Sequence, residues 1–159
     1  MTRIAINGSK GKMGQALFEA INSSSQSEFG AGFDKGDSLI DLISNFEVLI
    51  DFSRPEASLS ALSVCKSSGK AMVIGTTGFT DIELGLIEQA SKEIPIVFAP
   101  NMSVGVNLTL KILETSAKVI GPDSSIEIIE AHHRYKVDSP SGTALKLSLI
   151  HISEPTRPY

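Results

Sequence analysis

The first strand–turn–helix unit of the chain reads Arg3-Ile4-Ala5-Ile6-Asn7-Gly8-Ser9-Lys10-Gly11-Lys12-Met13-Gly14. Residues 3–7 form a short, mostly apolar run, which predicts a buried strand, and a helical pattern begins at Lys12. Glycines between a strand and a helix allow a tight turn and let the backbone approach a pyrophosphate closely. The spacing is Gly-x-x-Gly-x-x-Gly instead of the commoner Gly-x-Gly-x-x-Gly, so the motif alone is also compatible with an ordinary turn.

An acidic residue follows where a dinucleotide-binding fold needs one. Asp34 lies 20 residues after Gly14, at the end of the second predicted strand, which is the position that binds ribose hydroxyls. Lys35 comes next and could pair with a 2′-phosphate, so NADH and NADPH are both permitted. The alternative is an ordinary acid–base pair on the surface. The order of strand, glycines and acid favours dinucleotide binding.

The rest of the chain alternates between strand-like and helix-like segments. Short apolar runs predict strands at Arg3–Asn7, Phe29–Phe33, Val48–Phe52, Ala71–Ile74, Ile94–Ala99 and Ile126–Ala131. Periodic segments predict helices at Lys12–Ser23, Pro55–Ser68, Asp81–Lys92 and Val106–Ile120, with Ser53 as a cap before Pro55. The apolar stripe of the last helix predicts core positions at Leu108, Ile112, Leu113 and Val119. This alternation indicates an α/β fold, a Rossmann-like parallel sheet with helices on both faces.

Composition places the chain among soluble globular proteins, since 42% of its 159 residues are hydrophobic and 20% are charged. Its net charge is −4 without a long basic run, which argues against a nucleic-acid partner. The single cysteine, Cys65, excludes an internal disulfide and fits a reducing compartment. No signal peptide or membrane-spanning stretch is recognised, so a cytoplasmic location and no membrane partner are expected.

Two further turns stand at the carboxyl ends of predicted strands, where ligands bind in such sheets. They are Gly75-Thr76-Thr77 and Ala99-Pro100-Asn101-Met102. Either turn could line a nicotinamide ring with small polar groups, and either could be a plain connection.

The segment Glu130–Leu145 carries the densest group of reactive side chains. Two of the three histidines, His132 and His133, lie there together with Lys136. Residues 139–143 then predict a turn that starts a helix, whose first N–H groups, those of residues 141–143, favour an anion. Successive side chains of a strand point to opposite faces, so the two histidines cannot share one ion and no metal is expected.

These motifs resemble the dihydrodipicolinate reductase (4-hydroxy-tetrahydrodipicolinate reductase) family. The stretches that carry the resemblance are Gly8–Gly14, Val48–Pro55, Gly75–Phe79, Asn101–Asn107 and Glu130–Leu145. They follow one another in the family's order from residue 1 to about residue 146, and the last of them is the most diagnostic.

The resemblance implies an NAD(P)H-dependent oxidoreductase with NADPH or NADH as cofactor. The pyrophosphate side of the cofactor would be contacted by Gly8, Ser9, Lys10, Gly11, Lys12 and Met13. The adenosine ribose and its 2′-phosphate would be contacted by Asp34 and Lys35. The nicotinamide half would be contacted by Gly75, Thr76, Thr77, Ala99, Pro100, Asn101 and Met102.

The resemblance also implies a reaction, the reduction of the dicarboxylate 4-hydroxy-tetrahydrodipicolinate to tetrahydrodipicolinate in diaminopimelate and lysine biosynthesis. His132 is then the catalytic proton donor or acceptor and Lys136 the second catalytic residue, while His133, Gly142 and Thr143 contact the substrate. A homotetramer is expected for the complete enzyme. Two alternatives remain open: a non-catalytic nucleotide-binding fragment of that enzyme, and another small Rossmann oxidoreductase acting on an amino-acid-derived substrate.

Three regions are expected along the chain. Residues 1–103 form the dinucleotide-binding domain, residues 104–147 begin an α+β domain for substrate binding and oligomerisation, and residues 148–159 form a tail. The tail departs from the family inside a helix, contains two prolines and has no helical period, so it is expected to be non-native sequence. The alternative is a genuine disordered carboxyl terminus.

Overall fold

The computed structural model describes residues 1–120, 124–132, 134 and 140–152. Contacts group the chain into two compact units, Met1–Ala99 and Pro100–Tyr159. The domain boundary expected after residue 103 stays a prediction. Within the described residues, no helix combines the length and apolar character needed to cross a membrane.

The first unit is built on a five-stranded parallel sheet with the strand order β2-β1-β3-β4-β5. The strands are β1 Thr2–Asn7, β2 Ser27–Phe33, β3 Val48–Asp51, β4 Ala71–Ile74 and β5 Ile96–Phe98. Each overlaps a predicted run, and their ends differ by at most two residues. Strand β1 pairs with β2 on one side and with β3 on the other, so the topological switch point lies between the carboxyl ends of β1 and β3.

Helices connect the strands of this unit. They are α1 Lys12–Asn22, α2 Leu39–Leu42, α3 Pro55–Ser67 and α4 Asp81–Ser91. Helix α1 connects β1 to β2, which lies on one side of β1 in the sheet. Helices α3 and α4 connect β3 to β4 and β4 to β5, so they move the chain toward the other edge of the sheet. Right-handed crossovers therefore place α1 on one face of the sheet and α3 with α4 on the other, and the predicted α/β class is confirmed. The sequence does not predict α2, since its four residues are too few to show a helical period.

Local signals explain where the longer helices begin and end. Helix α4 begins at a capping box, in which Thr80 Oγ1 accepts the Glu83 N–H at 3.4 Å and the Glu83 carboxylate accepts the Thr80 N–H at 2.7 Å. Helix α3 is followed by Gly69, whose φ of +65° turns the chain out of the helix.

The prediction of Ser53 as the cap of α3 is wrong by one residue. Pro55 is the first residue of the helix, as expected, but the cap residue is Arg54 and not Ser53. The Ser53 hydroxyl accepts a hydrogen bond from the side-chain amide of Asn7 at 3.3 Å. Because proline fixes the first helical position, the residue directly before it becomes the cap.

The core lies where the inward-facing strand residues meet one face of α3 and α4. Its buried members include Ala5, Phe33, Leu49, Met72, Ile74, Leu62, Cys65, Ile87 and Ala90. The alternation of buried and half-buried residues along β3 and β4 has the period expected of strands.

Cys65 is expected to be chemically inert in the folded chain. Its side chain is fully buried, and burial together with the nearby Asp51 carboxylate raises the pKa of the thiol from 9.0 to about 12. The thiolate is the reactive form, so iodoacetamide should modify Cys65 only in denaturant, as measured by mass spectrometry. Because the folded pKa is the higher one, the contribution of this thiol to stability is complete below pH 9 and falls as the pH rises from 9 to about 12. Rapid labelling of the native chain at neutral pH would contradict this prediction.

The described helices of the second unit are α5 Val104–Ile120 and α6 Gly142–Ile152, which contact each other. The buried strand predicted at Ile126–Ala131 is wrong, because no strand forms in residues 124–132 and the side chain of Ile129 is 92% exposed. A strand needs a neighbouring strand for its hydrogen bonds, and no described segment pairs with this one. The α+β character of the second domain stays a prediction.

Helix α6 continues past Leu147, the position of the expected departure from the family. Its last residue is Ile152, so the expectation of no helix after Leu147 is wrong for residues 148–152. These residues include neither proline nor glycine, and the first helix-breaking residue is Pro155. Residues 153–159 lie outside the described residues, and the non-native origin of the tail stays a prediction.

Candidate functional site

The turn between β1 and α1 depends on its glycines. Gly8 has a φ of +78°, and its N–H donates to the carbonyl of Phe33, at the end of β2, at 2.9 Å. The Gly11 N–H donates back to the Gly8 carbonyl at 3.0 Å. A Cβ on Gly14 would lie 2.7 Å from the Cα of Ser9 and closer still to the carbonyl of Gly8. The turn therefore requires glycine at these places, and its backbone is free of bulky side chains.

Helix α1 begins at this turn without a side-chain cap. Its cap residue is Gly11, and its first turn contains no acidic residue. Lys10, Lys12 and Met13 are exposed beside the helix start. The first N–H groups of a helix have no intrahelical acceptor, and the helix dipole favours negative charge there. Backbone donors and positive side chains are thus available together for a pyrophosphate.

The carboxylate of Asp34 holds the glycine turn from the neighbouring strand. It accepts the Ser9 hydroxyl at 2.8 Å and the Lys10 N–H at 3.2 Å. The Asp34 N–H in turn donates to the carboxylate of Asp37 at 2.9 Å. Lys35 is exposed next to this pair. The acid predicted to bind a ribose therefore lies directly beside the turn predicted to bind the pyrophosphate.

A cleft of about 950 Å³ opens beside Asp34, at the switch point between β1 and β3. Its charged lining residues are Asp34, Lys35, Asp37, Arg54 and Glu56. Its larger apolar lining residues are Phe33, Leu39, Ile40 and Val64. The volume and the mixed lining suit a nucleoside-sized ligand. Sequence reasoning missed Arg54 and the residues of α2 in the cleft wall, although the position of Arg54, three residues after the end of β3, was a usable signal.

The loop after β4 presents backbone and one threonine to solvent. Gly75 packs against the ring of Phe52, which occupies the space that a Cβ would need. Thr76 is buried and Thr77 is exposed. Gly78 ends the loop with a φ of +89°. The groups of this loop that can reach a ligand are therefore its backbone and Thr77, and the Thr76 side chain is turned inward.

The residues predicted from Ala99 to Met102 are divided between the two units. Ala99 belongs to the first unit, and its N–H donates to the carbonyl of the last residue of β4 at 3.2 Å. Pro100, Asn101 and Met102 belong to the second unit, where the Asn101 side chain accepts the Ser103 N–H at 2.8 Å. The Asn101 side chain is thus used in the turn that precedes α5.

The amino terminus of α6 is capped from two sides. Ser141 Oγ accepts the Ala144 N–H at 3.0 Å, and the Glu130 carboxylate accepts the Ser141 N–H at 3.0 Å. The Ser141 amide is therefore occupied and does not provide the anion contact expected from the sequence. No described residue accepts from the N–H groups of Gly142 and Thr143, which remain available to a ligand.

His132 lies next to this capping carboxylate. Its Nδ1 is 3.5 Å from a carboxylate oxygen of Glu130, and its side chain is 39% exposed. A carboxylate beside Nδ1 favours a proton on that nitrogen and leaves Nε2 to exchange a proton. Sequence reasoning missed Glu130, although it stands two residues before His132. His133 and Lys136 lie outside the described residues, and within the described part of the chain no cluster of His, Cys, Asp and Glu could hold a metal ion.

A parallel sheet with a glycine turn after β1, an acid at the end of β2 and a cleft at the switch point defines a Rossmann-type dinucleotide-binding protein. The family model for the dihydrodipicolinate reductase N-terminus matches residues 2–102, and the model for its C-terminus matches residues 105–156. The chain therefore belongs to the dihydrodipicolinate reductase family, whose members are NAD(P)H-dependent oxidoreductases. The resemblance inferred from the motifs is confirmed.

Two relatives give the extent of the similarity. The 4-hydroxy-tetrahydrodipicolinate reductase of Hahella chejuensis is 46% identical over an alignment 173 positions long, which covers 94% of this chain and 65% of that protein. The structure of dipicolinate-bound dihydrodipicolinate reductase from Paenisporosarcina sp. TG-14 is similar with a TM-score of 0.75 at 31% identity, covering 95% of this chain and 65% of its own. The chain spans about 65% of the length of these relatives.

Proposed function

We propose that the chain belongs to an enzyme that reduces 4-hydroxy-tetrahydrodipicolinate to tetrahydrodipicolinate with NADPH or NADH. The proposal is carried by the cleft at the switch point, with the glycine turn and Asp34 at its edge. The H. chejuensis relative bears the name of this reductase. The reaction would then serve diaminopimelate and lysine biosynthesis.

The residues around the cleft fit a nicotinamide dinucleotide. Glycines keep the turn free of side chains, and the uncapped start of α1 offers donors for the pyrophosphate beside Lys10 and Lys12. Asp34 would accept the hydroxyls of the adenosine ribose, and Lys35 would pair with the 2′-phosphate of NADPH. When bound, the cofactor supplies the hydride, while the chain binds and orients it.

The second unit would bind the substrate and supply a proton. An imidazole ionises near neutral pH, so His132 can donate a proton to the reduced ring. Lys136 would pair with the substrate and stabilise charge that develops on the ring nitrogen. The free N–H groups of Gly142 and Thr143 would receive a carboxylate at the start of α6, with His133 as a further contact. Dipicolinate, in the name of the Paenisporosarcina structure, is a dicarboxylate of this kind.

The nicotinamide half of the cofactor would be held by two turns. The backbone of Gly75 and Thr76 and the exposed side chain of Thr77 are proposed contacts from the turn after β4. The run Ala99–Met102 would provide the others. The homotetramer, the cytoplasmic location, the absence of a nucleic-acid partner and the predicted domain limits belong to the same proposal.

Cofactor binding can be tested by titrating the purified chain with NADPH and NADH in a calorimeter. Lys35→Ala is expected to weaken NADPH binding about tenfold and NADH binding less than about twofold, because only NADPH carries the 2′-phosphate. Lys92→Ala is the matched control, since Lys92 is an exposed lysine at the end of α4, remote in sequence from the cleft. It should leave both affinities unchanged. A folded wild-type chain that binds neither cofactor would contradict the proposal.

A turnover assay distinguishes the reductase from the first alternative, a non-catalytic nucleotide-binding fragment. NADPH oxidation is followed with the wild-type chain while the enzyme that forms the substrate supplies it in the same vessel. Oxidation that depends on substrate supports the reductase. Cofactor binding without turnover supports a nucleotide-binding fragment and moves the test of the reaction to a protein of the relatives' full length.

A further inference from the structure

A small polar cluster is buried where β3 and β4 end. Its members are Asp51, Ser53, Ser58 and Thr76, and this group is called the Thr76 cluster below. Asp51, Ser58 and Thr76 are at most 3% exposed, and Ser53 is half-buried. Polar side chains at such depth destabilise a fold unless hydrogen bonds satisfy them, so their bonding pattern shows what they are for.

The hydroxyl of Thr76 is the centre of the cluster. It accepts the Ser53 N–H at 2.9 Å and the Ser58 hydroxyl at 2.9 Å. Its own proton faces Asp51 Oδ1 at 3.4 Å, and the Ser53 N–H also reaches that oxygen at 2.8 Å. The hydrogen-bonding capacity of the hydroxyl is therefore used inside the protein. Thr76 cannot offer its side chain to a ligand without breaking these bonds.

Asp51 is poorly explained as a stabilising residue. Its second carboxylate oxygen, Oδ2, is buried and has no hydrogen-bond partner among the described residues. A buried polar atom without a partner destabilises the folded state. An apolar residue would suit this end of β3 better if only stability mattered. The remaining effect of the carboxylate is geometric, since Oδ1 joins Ser53, two residues after β3, to Thr76 in the loop after β4.

The loop Gly75–Gly78 depends on this cluster for its shape. It contains no helix or strand, and Gly75 is tied to the carbonyl of Asp51 by its N–H at 2.8 Å. The next residue, Thr76, is fixed by the cluster. With Thr76 turned inward, the exposed Thr77 is on the solvent side of the loop.

We propose that Asp51 and Thr76 are positioning residues that hold the Gly75–Gly78 loop in the form that receives the nicotinamide half of the cofactor. This inference rests on the proposed function, in which the same loop contacts the nicotinamide. The adenosine half is held elsewhere, by Asp34, Lys35 and the glycine turn. Damage to the Thr76 cluster should therefore weaken the binding of complete NADPH more than the binding of a fragment that lacks nicotinamide.

Two ligands measured on the full 159-residue chain test this inference: NADPH and 2′-phospho-ADP-ribose, which is NADPH without its nicotinamide. Thr76→Val keeps the shape of the side chain and removes the hydroxyl. It is expected to weaken NADPH binding about tenfold and fragment binding less than about twofold. The Ser53 N–H keeps its bond to Asp51 in this variant, so the cleft beside Ser53 should persist.

Two further variants complete the test. Thr76→Ser retains the hydroxyl and should recover most of the NADPH affinity that Thr76→Val loses. Thr115→Val is the matched control, because the Thr115 hydroxyl bonds only to the backbone of its own exposed helix, and both affinities should match those of the wild type. If Thr76→Val does not fold, Asp51→Asn replaces it, and a selective loss of NADPH affinity of at least about threefold is expected.

The outcomes distinguish a failure of this inference from a failure of the proposed function. A selective loss for NADPH, recovered by serine, supports the positioning role. Equal losses for NADPH and the fragment would show a general structural role and overturn the inference, while leaving cofactor binding intact. Unchanged NADPH affinity in Thr76→Val would overturn it as well. A wild-type chain that binds neither ligand would remove the proposed function, and the inference with it.

Discussion

Gly14→Ala is expected to lower the Tm by about 10 °C and to weaken NADPH binding at least about tenfold. The added Cβ would lie 2.7 Å from the Cα of Ser9 and closer to the Gly8 carbonyl, and both neighbours are backbone atoms that cannot move aside without shifting the turn. Overpacking of this kind costs about 3 kcal/mol. For a chain of this length that cost corresponds to a Tm decrease of about 10 °C. Calorimetry and an NADPH titration measure the two effects.

The matched control for this prediction is Gly85→Ala. Gly85 lies within α4, as Gly14 lies within α1, but no atom would come within 4 Å of its added Cβ. Alanine is favoured over glycine in a helix by about 0.5–1 kcal/mol, so this variant should be slightly more stable than the wild type. If Gly14→Ala were as stable as Gly85→Ala, steric contact between α1 and the glycine turn would not be the reason that position 14 requires glycine.

His132→Gln is expected to reduce kcat by about 10²–10⁴-fold in a protein of the relatives' full length, because glutamine cannot transfer a proton. The exposed His132 side chain adds little to the core, so Tm and NADPH affinity should stay close to the wild-type values. Stopped-flow measurement of NADPH oxidation gives the rate. By the same argument, Lys136→Ala should also remove most of kcat.

Two further measurements test whether His132 acts in proton transfer. The KM for the substrate should change far less than kcat, because the proposed role of the imidazole is proton transfer and not substrate binding. In the 159-residue chain, His132→Gln should leave the NADPH titration unchanged. Near wild-type turnover in the His132→Gln protein would refute the assignment of this histidine as the proton donor.

The sheet of the first unit could be predicted because its strands are short, largely apolar runs. The runs Val48–Ile50 and Ala71–Ile74 are continuously apolar, which identifies them as strands without knowledge of the neighbouring strand. The segment Ile126–Ala131 is also rich in isoleucine, although it contains Glu127 and Glu130, and it does not form a strand in the described residues. Composition shows that a segment can pair, but pairing also depends on a neighbour that the segment itself does not encode.

Helix α5 shows the same limit for helices. Its bounds could be predicted from the helical period, but Leu108, Ile112 and Val119, assigned to the core, are 59%, 56% and 73% exposed. The Leu113 side chain is 43% exposed, so this assignment is also wrong. The period shows which face of a helix is apolar and does not show what covers that face.

A residue of the candidate site could be predicted where its type and its place in the topology together define its location. Asp34 satisfies this condition, because an acid after the second strand has one place to lie in such a sheet. Glu130 and Thr76 do not, since their contacts depend on side-chain directions. The sequence could not show that Glu130 occupies the Ser141 amide or that Thr76 points inward while Thr77 points outward. The assignments of catalytic and binding residues stay predictions.

Under the proposed function, the carboxylate of Asp34 has two tasks that compete with each other. Inside the chain it already binds the hydroxyl of Ser9 and the N–H of Lys10, so a ribose hydroxyl must share or displace these partners. Recognition of the sugar is then an exchange of hydrogen bonds, and only the difference between the old and new bonds contributes to affinity. The exchange would also release the turn proposed to bind the pyrophosphate. In the proposed complex, binding of the sugar and binding of the pyrophosphate would therefore be thermodynamically linked through one side chain.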